Sequence, residues 1–393
     1  MIYHVLPQEK WSAAGPITEG CVNLVFGAPG RYIQGAGAIA EIGAAAAQCG
    51  ASASVIVDSI VRQLIEEPIR RSCASVDISP RFIPFDGEMT QPAIEALKAD
   101  FDESASDVVI GAGGGKCIDA GKALAKARGA ALITLPTVAS NDAPPSKNYV
   151  VYDEHHQLLE VGHLAVSPRY VIVDTTLIAR APRAFLVAGI GDALTKSFEA
   201  EQCLKAEGRN GFGGRSSLAA VALARECYRI LRQDAAAALK QPSGDEPTKE
   251  FERVIEAVVL MSGIGFESGG LSIAHSMTRG LSRVPGAREA PHGAQVAYTL
   301  LVQLVLEGRD SAFLNEMLNF YNEIGLPKTL AAMGVHLSND ALLLEIAQTS
   351  LLAPHARNFE RRVTAEEMIA AMLRLEAWPA SAYERRPRKS ATL

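Results

Sequence analysis

The stretch 108–125, "VVIGAGGGKCIDAGKALA", decides the fold, because it joins an apolar strand to a helix through three consecutive glycines. At such a turn Gly113–Gly115 let backbone N–H groups approach a ligand closely, and the following helix offers its free N–H groups to a phosphate. Two standard phosphate motifs do not fit. Ile110 and Cys117 stand where a P-loop needs Gly and Ser or Thr, and Lys116 replaces the last glycine of a G-x-G-x-x-G fingerprint. The stretch therefore predicts a different glycine cradle for a phosphate, or a tight turn without a ligand.

Strand-like segments alternate with helix-like segments through the first half of the chain. Apolar runs predict buried strands at 52–58, 81–87, 106–113, 130–137 and 168–174. Residues 147–163 predict a hairpin with its turn near Asp153–His156. Strands that alternate with helices of this length are typical of βαβ units, so we expect a parallel sheet covered on both faces.

After Pro182 strand signals almost vanish and Ala- and Leu-rich segments take over. We expect helices at 186–206, 216–236, 250–262, 268–282, 292–307, 311–324, 340–353 and 364–377. The sequence therefore predicts an α/β domain at 1–182 and an all-α domain at 183–393.

Composition narrows the class of protein. The 393 residues are 48% hydrophobic and 21% charged, as in ordinary globular proteins, and the net charge of −6 gives no electrostatic reason to expect nucleic acid or an anionic membrane as a partner. The six cysteines never form a C-x-x-C pair, which fits a reducing cytoplasm. No apolar run resembles a signal peptide or a membrane span, so we expect a cytoplasmic protein.

Several polar side chains follow strands of the predicted sheet. Ligands of open parallel sheets lie beyond the carboxyl ends of the strands, where Asp58 and the loop of 134–146 would meet the glycines. Asp58 either accepts hydrogen bonds from a ribose, favouring NAD over NADP, or caps the next helix. In the loop, Ser140 and Asp142 either face a ligand or form a turn before two prolines.

One carboxylate and two histidines of the second half are candidate metal ligands. Asp192 lies near a Gly-rich helix start, His275 within an apolar helix and His292 at a helix start. Their separation is too large for an H-x-x-x-H motif, and spacing alone favours a hydrogen-bonded core histidine over a metal ligand.

Five segments in order resemble the glycerol dehydrogenases of the metal-dependent, "iron-containing" alcohol dehydrogenase superfamily. They are "GAGGGKCIDAGKALA", "LPTVASNDAP", "FLVAGIGDALTKSFEAEQC", "GGLSIAHSMTRGL" and "PHGAQVAY", within a similarity that spans roughly 25–375. The segment 31–43 resembles the family's first strand and helix. The resemblance implies an α/β dinucleotide-binding domain followed by a helical domain, as in dehydroquinate synthase, and an active site in the cleft.

The resemblance also implies site residues. Asp192, His275 and His292 would ligate a divalent metal, most often zinc, and the protein would be a homo-oligomer, with an octamer as one form. The expected NAD-binding residues are Asp58, Gly113, Gly114, Gly115, Lys116, Asp119, Thr137, Ser140 and Ser146. A polyol would be oxidised by hydride transfer to the nicotinamide, with Asp142 and Lys196 in catalysis.

Lys196 departs from the family pattern. Iron-binding relatives often have a histidine four residues after the aspartate, so Lys196 favours zinc over iron or another divalent metal. Lys196 and Arg279 add positive charge that would suit a 2-hydroxy or 2-oxo acid, unless Lys196 forms only a surface ion pair with Glu199. A dehydroquinate synthase-like lyase and a non-catalytic nucleotide-binding protein are further alternatives.

Overall fold

A six-stranded parallel sheet organises the first half of the chain. The computed structural model describes residues 23–102, 106–154, 158–244, 246–335 and 340–378. The strands are β1 (Tyr32–Gly35), β2 (Ala53–Val57), β3 (Arg81–Pro84), β4 (Val108–Gly113), β5 (Ala131–Pro136) and β8 (Tyr170–Asp174). Their order is β1-β8-β5-β4-β2-β3, and every neighbouring pair is parallel. Each strand predicted for this sheet is present, and the predicted fold class is confirmed.

Helices cover both faces of this sheet. They are α1 (Ile42–Ala47), α2 (Ser59–Ala74), α3 (Gln91–Asp102), α4 (Gly115–Arg128) and α5 (Thr175–Ala179). Successive side chains of a strand point to opposite faces, so Ile110 joins one apolar cluster while its neighbour Val109 joins the cluster on the other side. Both clusters exclude water, and this explains why the strands are apolar without alternation.

The predicted hairpin forms a separate two-stranded antiparallel sheet, β6 (Asn148–Tyr152) and β7 (Leu158–His163). Part of its predicted turn, residues 155–157, lies outside the described residues. The hairpin is fixed to α4 by two buried side chains. Asp119 accepts a hydrogen bond from the backbone N–H of Val150 at 3.1 Å, and Lys122 donates to the carbonyl of Asn148 at 2.6 Å. The structure thus places Asp119 at the contact between helix and hairpin, and its expected role toward NAD stays a prediction.

Helices make up the described part of the chain after α5. They are α6 (Arg183–Lys205), α7 (Leu218–Ala238), α8 (Lys249–Glu256), α9 (Ser262–Ile264), α10 (Ile273–Leu281), α11 (His292–Leu306), α12 (Ser311–Ile324), α13 (Asp340–Leu351) and α14 (Ala365–Glu376). No single described helix is long and apolar enough to cross a bilayer, although one pair bent by 97°, 249–269 with 273–281, passes the same test together. The exact domain boundary at residue 182 stays a prediction.

The segment after α8 differs from its prediction. We expected helices at 250–262 and 268–282, but the first continues through two wide π-helical turns, Ala257–Met261 and Gly265–Gly269, on either side of α9. It stops at Gly270, whose φ of 96° is unfavourable for other residues. A π turn inserts an extra residue and is frequent at functional sites. Here Ser262, at the start of α9, and Glu267, in the second π turn, hydrogen-bond to the loop after β5.

Candidate active site

The three glycines form the turn between β4 and α4 that their spacing predicts. Gly113 has a φ of 137°, and a Cβ at this position would stand 3.1 Å from the Cβ of Cys117. Gly114 is the N-cap of α4 and has no side chain to bond the first N–H groups of the helix. The half-buried turn therefore leaves backbone donors for a ligand, with exposed Lys116, which is paired with Glu88, beside them.

Asp58 lies between α2 and the glycine turn. Its Oδ1 accepts hydrogen bonds from the backbone N–H groups of Ile60 at 3.0 Å and Val61 at 2.8 Å, so the helix-capping interpretation is confirmed. Its Oδ2 faces the turn, 3.4 Å from where a Cβ on Gly113 would stand. Burial raises the pKa of the neighbouring Cys117 thiol to about 12, and the charge of Asp58 is the second cause. The thiol therefore remains protonated. One carboxylate oxygen thus caps the helix while the other faces the glycines.

The loop after β5 starts against the glycine turn. The backbone N–H of Thr137 donates to the carbonyl of Gly113 at 3.1 Å, and its buried Oγ1 has no hydrogen-bond partner among the described residues. Half-buried Ser140 follows on the same loop. Asn141 accepts a hydrogen bond from the N–H of Ala143 at 3.1 Å, so the predicted turn is also present.

The same loop reaches the helical half of the chain. A Cβ on Gly189 of α6 would lie 2.1 Å from the carbonyl oxygen of Ala139, so only a glycine permits this backbone contact. Farther along, buried Asp142 accepts a hydrogen bond from Ser262 at 2.8 Å, and Ser146 donates to Glu267 at 3.0 Å. The loop therefore connects the glycine turn to the π-helical segment, and Ser146 belongs to that contact.

Asp192, His275 and His292 come together from α6, α10 and α11. One ligand atom from each lies within 4.8 Å of the others. Asp192 is buried, His275 is nearly so, and His292 is exposed at the first residue of its helix. Their rings and carboxylate meet although the three residues are far apart in sequence, as the resemblance implied. Two imidazoles and one carboxylate form a donor set that suits zinc and leaves a further coordination position open.

Glu199 orients His275. Its Oε2 lies 2.5 Å from Nδ1 of the imidazole, and its Oε1 accepts hydrogen bonds from the backbone N–H groups of His275 at 2.9 Å and Ser272 at 2.8 Å. Burial alone would raise the pKa of Glu199, but His275 lowers it to about 2. Carboxylates that hold the second nitrogen of a histidine are common around metals. The sequence interpretation missed this role, although Glu199 lies seven residues, about two helical turns, after Asp192.

Lys196 lies inside the site. Its buried ammonium is 2.5 Å from Oδ1 of Asp192, 3.1 Å from Nε2 of His275 and 3.3 Å from Oδ2 of Asp142. The interpretation of Lys196 as a surface ion pair with Glu199 is wrong, because both side chains are buried and Glu199 binds His275 instead. A side chain one helical turn after Asp192 points the same way as Asp192, and in α6 that direction is inward.

Opposite charges around Lys196 stabilise its protonated form. Burial would lower the pKa of Lys196, but Asp142 and Asp192 raise it above the ordinary lysine value. Burial would likewise raise the pKa of Asp192, but the closer ammonium holds it well below its usual range. Asp142 behaves differently, since burial and the charge of Asp192 raise its pKa. Of the two carboxylates beside Lys196, Asp142 is therefore the one that accepts a proton more readily.

Comparisons with known proteins identify the family of this chain. Residues 29–175 match a sequence model of the family "Iron-containing alcohol dehydrogenase". A glycolaldehyde reductase of Halobacterium salinarum is 39% identical over 80% of this chain and 86% of its own length, and a glycerol dehydrogenase of Thermotoga maritima is 37% identical over 81% and 87%. The chain belongs to the glycerol dehydrogenase family of the iron-containing alcohol dehydrogenases. The crystal structure of a probable glycerol dehydrogenase from Sinorhizobium meliloti 1021, 35% identical, superimposes with a TM-score of 0.84 over 90% of this chain and 98% of that one.

Glycerol dehydrogenases and their superfamily bind NAD and a metal ion, and the residues present here fit both. The hydroxyl of Thr137 is buried without a partner beside the glycine turn, as expected of an atom that bonds a ligand. At the metal site two buried carboxylates, Asp142 and Asp192, share the ammonium of Lys196, while the buried carboxylate of Glu199 pairs with His275. The two carboxylates outnumber the ammonium between them, so Lys196 does not rule out a metal.

Proposed function

We propose that this member of the glycerol dehydrogenase family is an NAD- and zinc-dependent enzyme that interconverts vicinal diols and α-hydroxy carbonyl compounds, with glycerol and dihydroxyacetone as the leading pair. The observation that carries the proposal is the cluster of Asp192, His275 and His292 within 4.8 Å. The loop that holds Asp142 supports it, since it connects this cluster to the glycine turn. Iron or another divalent metal is the alternative to zinc.

The names of the two relatives point to one substrate class. Glycerol carries hydroxyls on neighbouring carbons, and glycolaldehyde carries a hydroxyl beside its carbonyl. Both present two adjacent oxygens, which fit two open positions on one cation. We therefore propose a 1,2-dioxygenated substrate, held by both oxygens, as the common requirement.

The roles of the residues follow from their contacts. A divalent metal held here would supply Lewis acidity toward a substrate oxygen, and NAD would supply the hydride acceptor. Asp192, His275 and His292 would hold the cation, with Glu199 keeping the imidazole of His275 in one orientation. Asp142, whose pKa is raised, is the proposed acceptor for the hydroxyl proton, and Ser262 fixes its Oδ2.

Neutral diols are expected to be better substrates than hydroxy acids. The charge of Lys196 is already shared by Asp142 and Asp192, so this lysine offers no unpaired positive charge to a substrate carboxylate. We expect kcat/KM for glycerol or 1,2-propanediol to exceed that for 2-hydroxybutyrate by about tenfold or more. NADH formation measures this, and a preference for 2-hydroxybutyrate would establish the 2-hydroxy acid dehydrogenase instead. Absence of net NADH with every alcohol would favour a lyase or a non-catalytic nucleotide-binding protein.

Asp58→Ala tests the proposed cofactor site. Oδ2 of Asp58 lies beside Gly113 and accepts a weak hydrogen bond from the Cys117 thiol at 3.8 Å; it is expected to bind the adenosine ribose and to repel the 2′-phosphate of NADP. Removing it should shift the ratio of kcat/KM for NAD to that for NADP about tenfold toward NADP, because a charged hydrogen bond is lost. Steady-state kinetics with both cofactors provide the measurement.

The matched control for Asp58→Ala is Asp310→Ala. Asp310 also caps a helix, accepting a hydrogen bond from the N–H of Phe313 at 2.8 Å. Either change should cost about 1 kcal/mol of stability through the lost cap. Only Asp58→Ala should alter cofactor preference, and an unchanged ratio would leave Asp58 with its capping role alone. We further propose a cytoplasmic homo-oligomer, in which light scattering would identify an octamer.

A further inference from the structure

Lys196 occupies an unusual position for a lysine beside three metal-ligand candidates. Its ammonium touches two of them, Asp192 at 2.5 Å and His275 at 3.1 Å, on the side where their ligand atoms converge. An ammonium and a divalent cation repel each other, and both would use Oδ1 of Asp192. The ammonium of Lys196 and the metal therefore compete for Oδ1 of Asp192.

The base of the Lys196 side chain is tightly packed, whereas its ammonium has a second carboxylate within reach. A Cβ on Gly265 of the second π turn would lie 3.2 Å from the Cβ of Lys196, so that turn packs tightly against the base of the side chain. The ammonium, in contrast, has Oδ2 of Asp142 at 3.3 Å on its other side. The ammonium therefore already lies between the two carboxylates, and a short displacement of the end of the side chain would leave it on Asp142 alone.

The negative charge of buried carboxylates explains why an ammonium is useful at this site. Asp142 and Asp192, the two carboxylates beside Lys196, are 8% and 1% exposed, whereas the fully buried carboxylate of Glu199 already pairs with His275. Buried carboxylates without a compensating cation strongly destabilise a fold. A metal ion would compensate them when bound, but the chain must also fold and persist before it acquires the metal.

We propose that Lys196 is an internal counter-ion that stabilises the empty metal site and must move from Asp192 to Asp142 before a divalent cation can bind. This inference rests on the metal site proposed above. The lysine then competes with the metal, so the wild-type site binds zinc more weakly than the same ligands would without the ammonium. The ammonium also makes the metal-free protein more stable.

Lys196→Met tests both consequences, because methionine keeps much of the length without the charge. Zinc affinity, measured by competition with a chromophoric chelator, should rise about tenfold or more. The melting temperature of the metal-free protein should fall by about 5 °C or more, and saturating zinc should largely restore it. Lys205→Met is the matched control, since this lysine lies on the same helix with 51% of its side chain exposed and pairs with Glu360 at the surface. It should change neither quantity.

Unchanged or weaker zinc affinity in Lys196→Met would overturn the inference. If the variant does not fold without metal, Lys196→Met/Asp142→Asn removes one carboxylate with the ammonium. The melting temperature of the metal-free double variant should then return toward the wild-type value, and failure to return would contradict the counter-ion role. Zinc binding by the wild type that disappears in His292→Ala supports the metal site itself. Wild-type protein that binds no zinc would instead refute the proposed function.

Discussion

Asp192→Asn is expected to lower kcat/KM for diol oxidation by about a thousandfold, because Lewis-acid activation is worth several kcal/mol and this variant loses the only carboxylate among the three proposed ligands. Asparagine keeps the shape of the side chain, so the change removes charge rather than volume. Among the described residues, the ammonium of Lys196 would keep Asp142 as its only carboxylate partner within 4 Å, and without the charge of Asp192 it would repel the metal more strongly. Steady-state kinetics together with the metal content per chain measure the effect.

A second buried aspartate provides the control for Asp192→Asn. Asp234 of α7 is 4% exposed and binds Arg253 at 2.8 Å, in a charge pair that does not include the candidate ligands. Asp234→Asn should lower the melting temperature while kcat/KM and metal content stay near the wild-type values. Full metal content and activity in Asp192→Asn would remove Asp192 from the proposed site.

Glu199→Gln is expected to weaken metal binding by 10- to 100-fold, roughly the usual effect of losing a carboxylate behind a ligating histidine. Glutamine can still accept the hydrogen bonds from the backbone N–H groups of Ser272 and His275 through its amide oxygen. It loses the charge that holds Nδ1–H of His275 at 2.5 Å. The variant therefore separates the effect of the charge on the imidazole from the effect on the local backbone. Chelator competition measures it.

The pKa of Glu199 determines the pH range in which its charge stabilises the folded protein. His275 lowers that pKa to about 2, whereas an unfolded glutamate titrates near its model value of 4.5. A carboxylate with a depressed pKa stabilises the folded state fully above the unfolded pKa and loses that contribution as pH falls toward the folded pKa. The difference in stability between wild type and Glu199→Gln should therefore be largest between about pH 5 and 6.5 and shrink as pH falls from there toward 2. It should also shrink as pH rises above 6.5, because burial would lower the pKa of His275 but Glu199 raises it, and this contribution is lost when the imidazole deprotonates. Thermal unfolding across this range is the measurement.

Glu307→Gln is the matched control for Glu199. In the wild type the side chain of Glu307 is 3% exposed, and its carboxylate binds Arg309 at 2.8 Å just after the end of α11. It should leave zinc affinity unchanged. Equal zinc affinity in Glu199→Gln and wild type would mean that Glu199 supports only the backbone.

The sequence predicted the strands well because each is a short apolar run buried on both faces. It also predicted the separation into a sheet and helices, since glycines and prolines mark the ends of most elements. The break after α8 was misplaced because a π turn has no distinct sequence signal: Gly263 and Gly265 read as helix breakers but lie inside the helix. Gly270 alone stops it, through its positive φ.

The candidate site was predictable only in part. Spacing could not bring Asp192, His275 and His292 together, because residues on three different helices meet through packing that periodicity does not encode. Resemblance supplied that grouping. Lys196 and Glu199 were misinterpreted for a related reason: charged residues on a helix are usually solvated, and α6 is buried on nearly all sides.

The contact between Gly189 and the carbonyl of Ala139 has a mechanical consequence. A Cβ at position 189 would lie 2.1 Å from that oxygen, so the backbone of α6 can contact the loop only through a glycine. A side chain at position 189 would therefore force α6 away from the loop. The same displacement would move Asp192, three residues later on α6, relative to the two histidines.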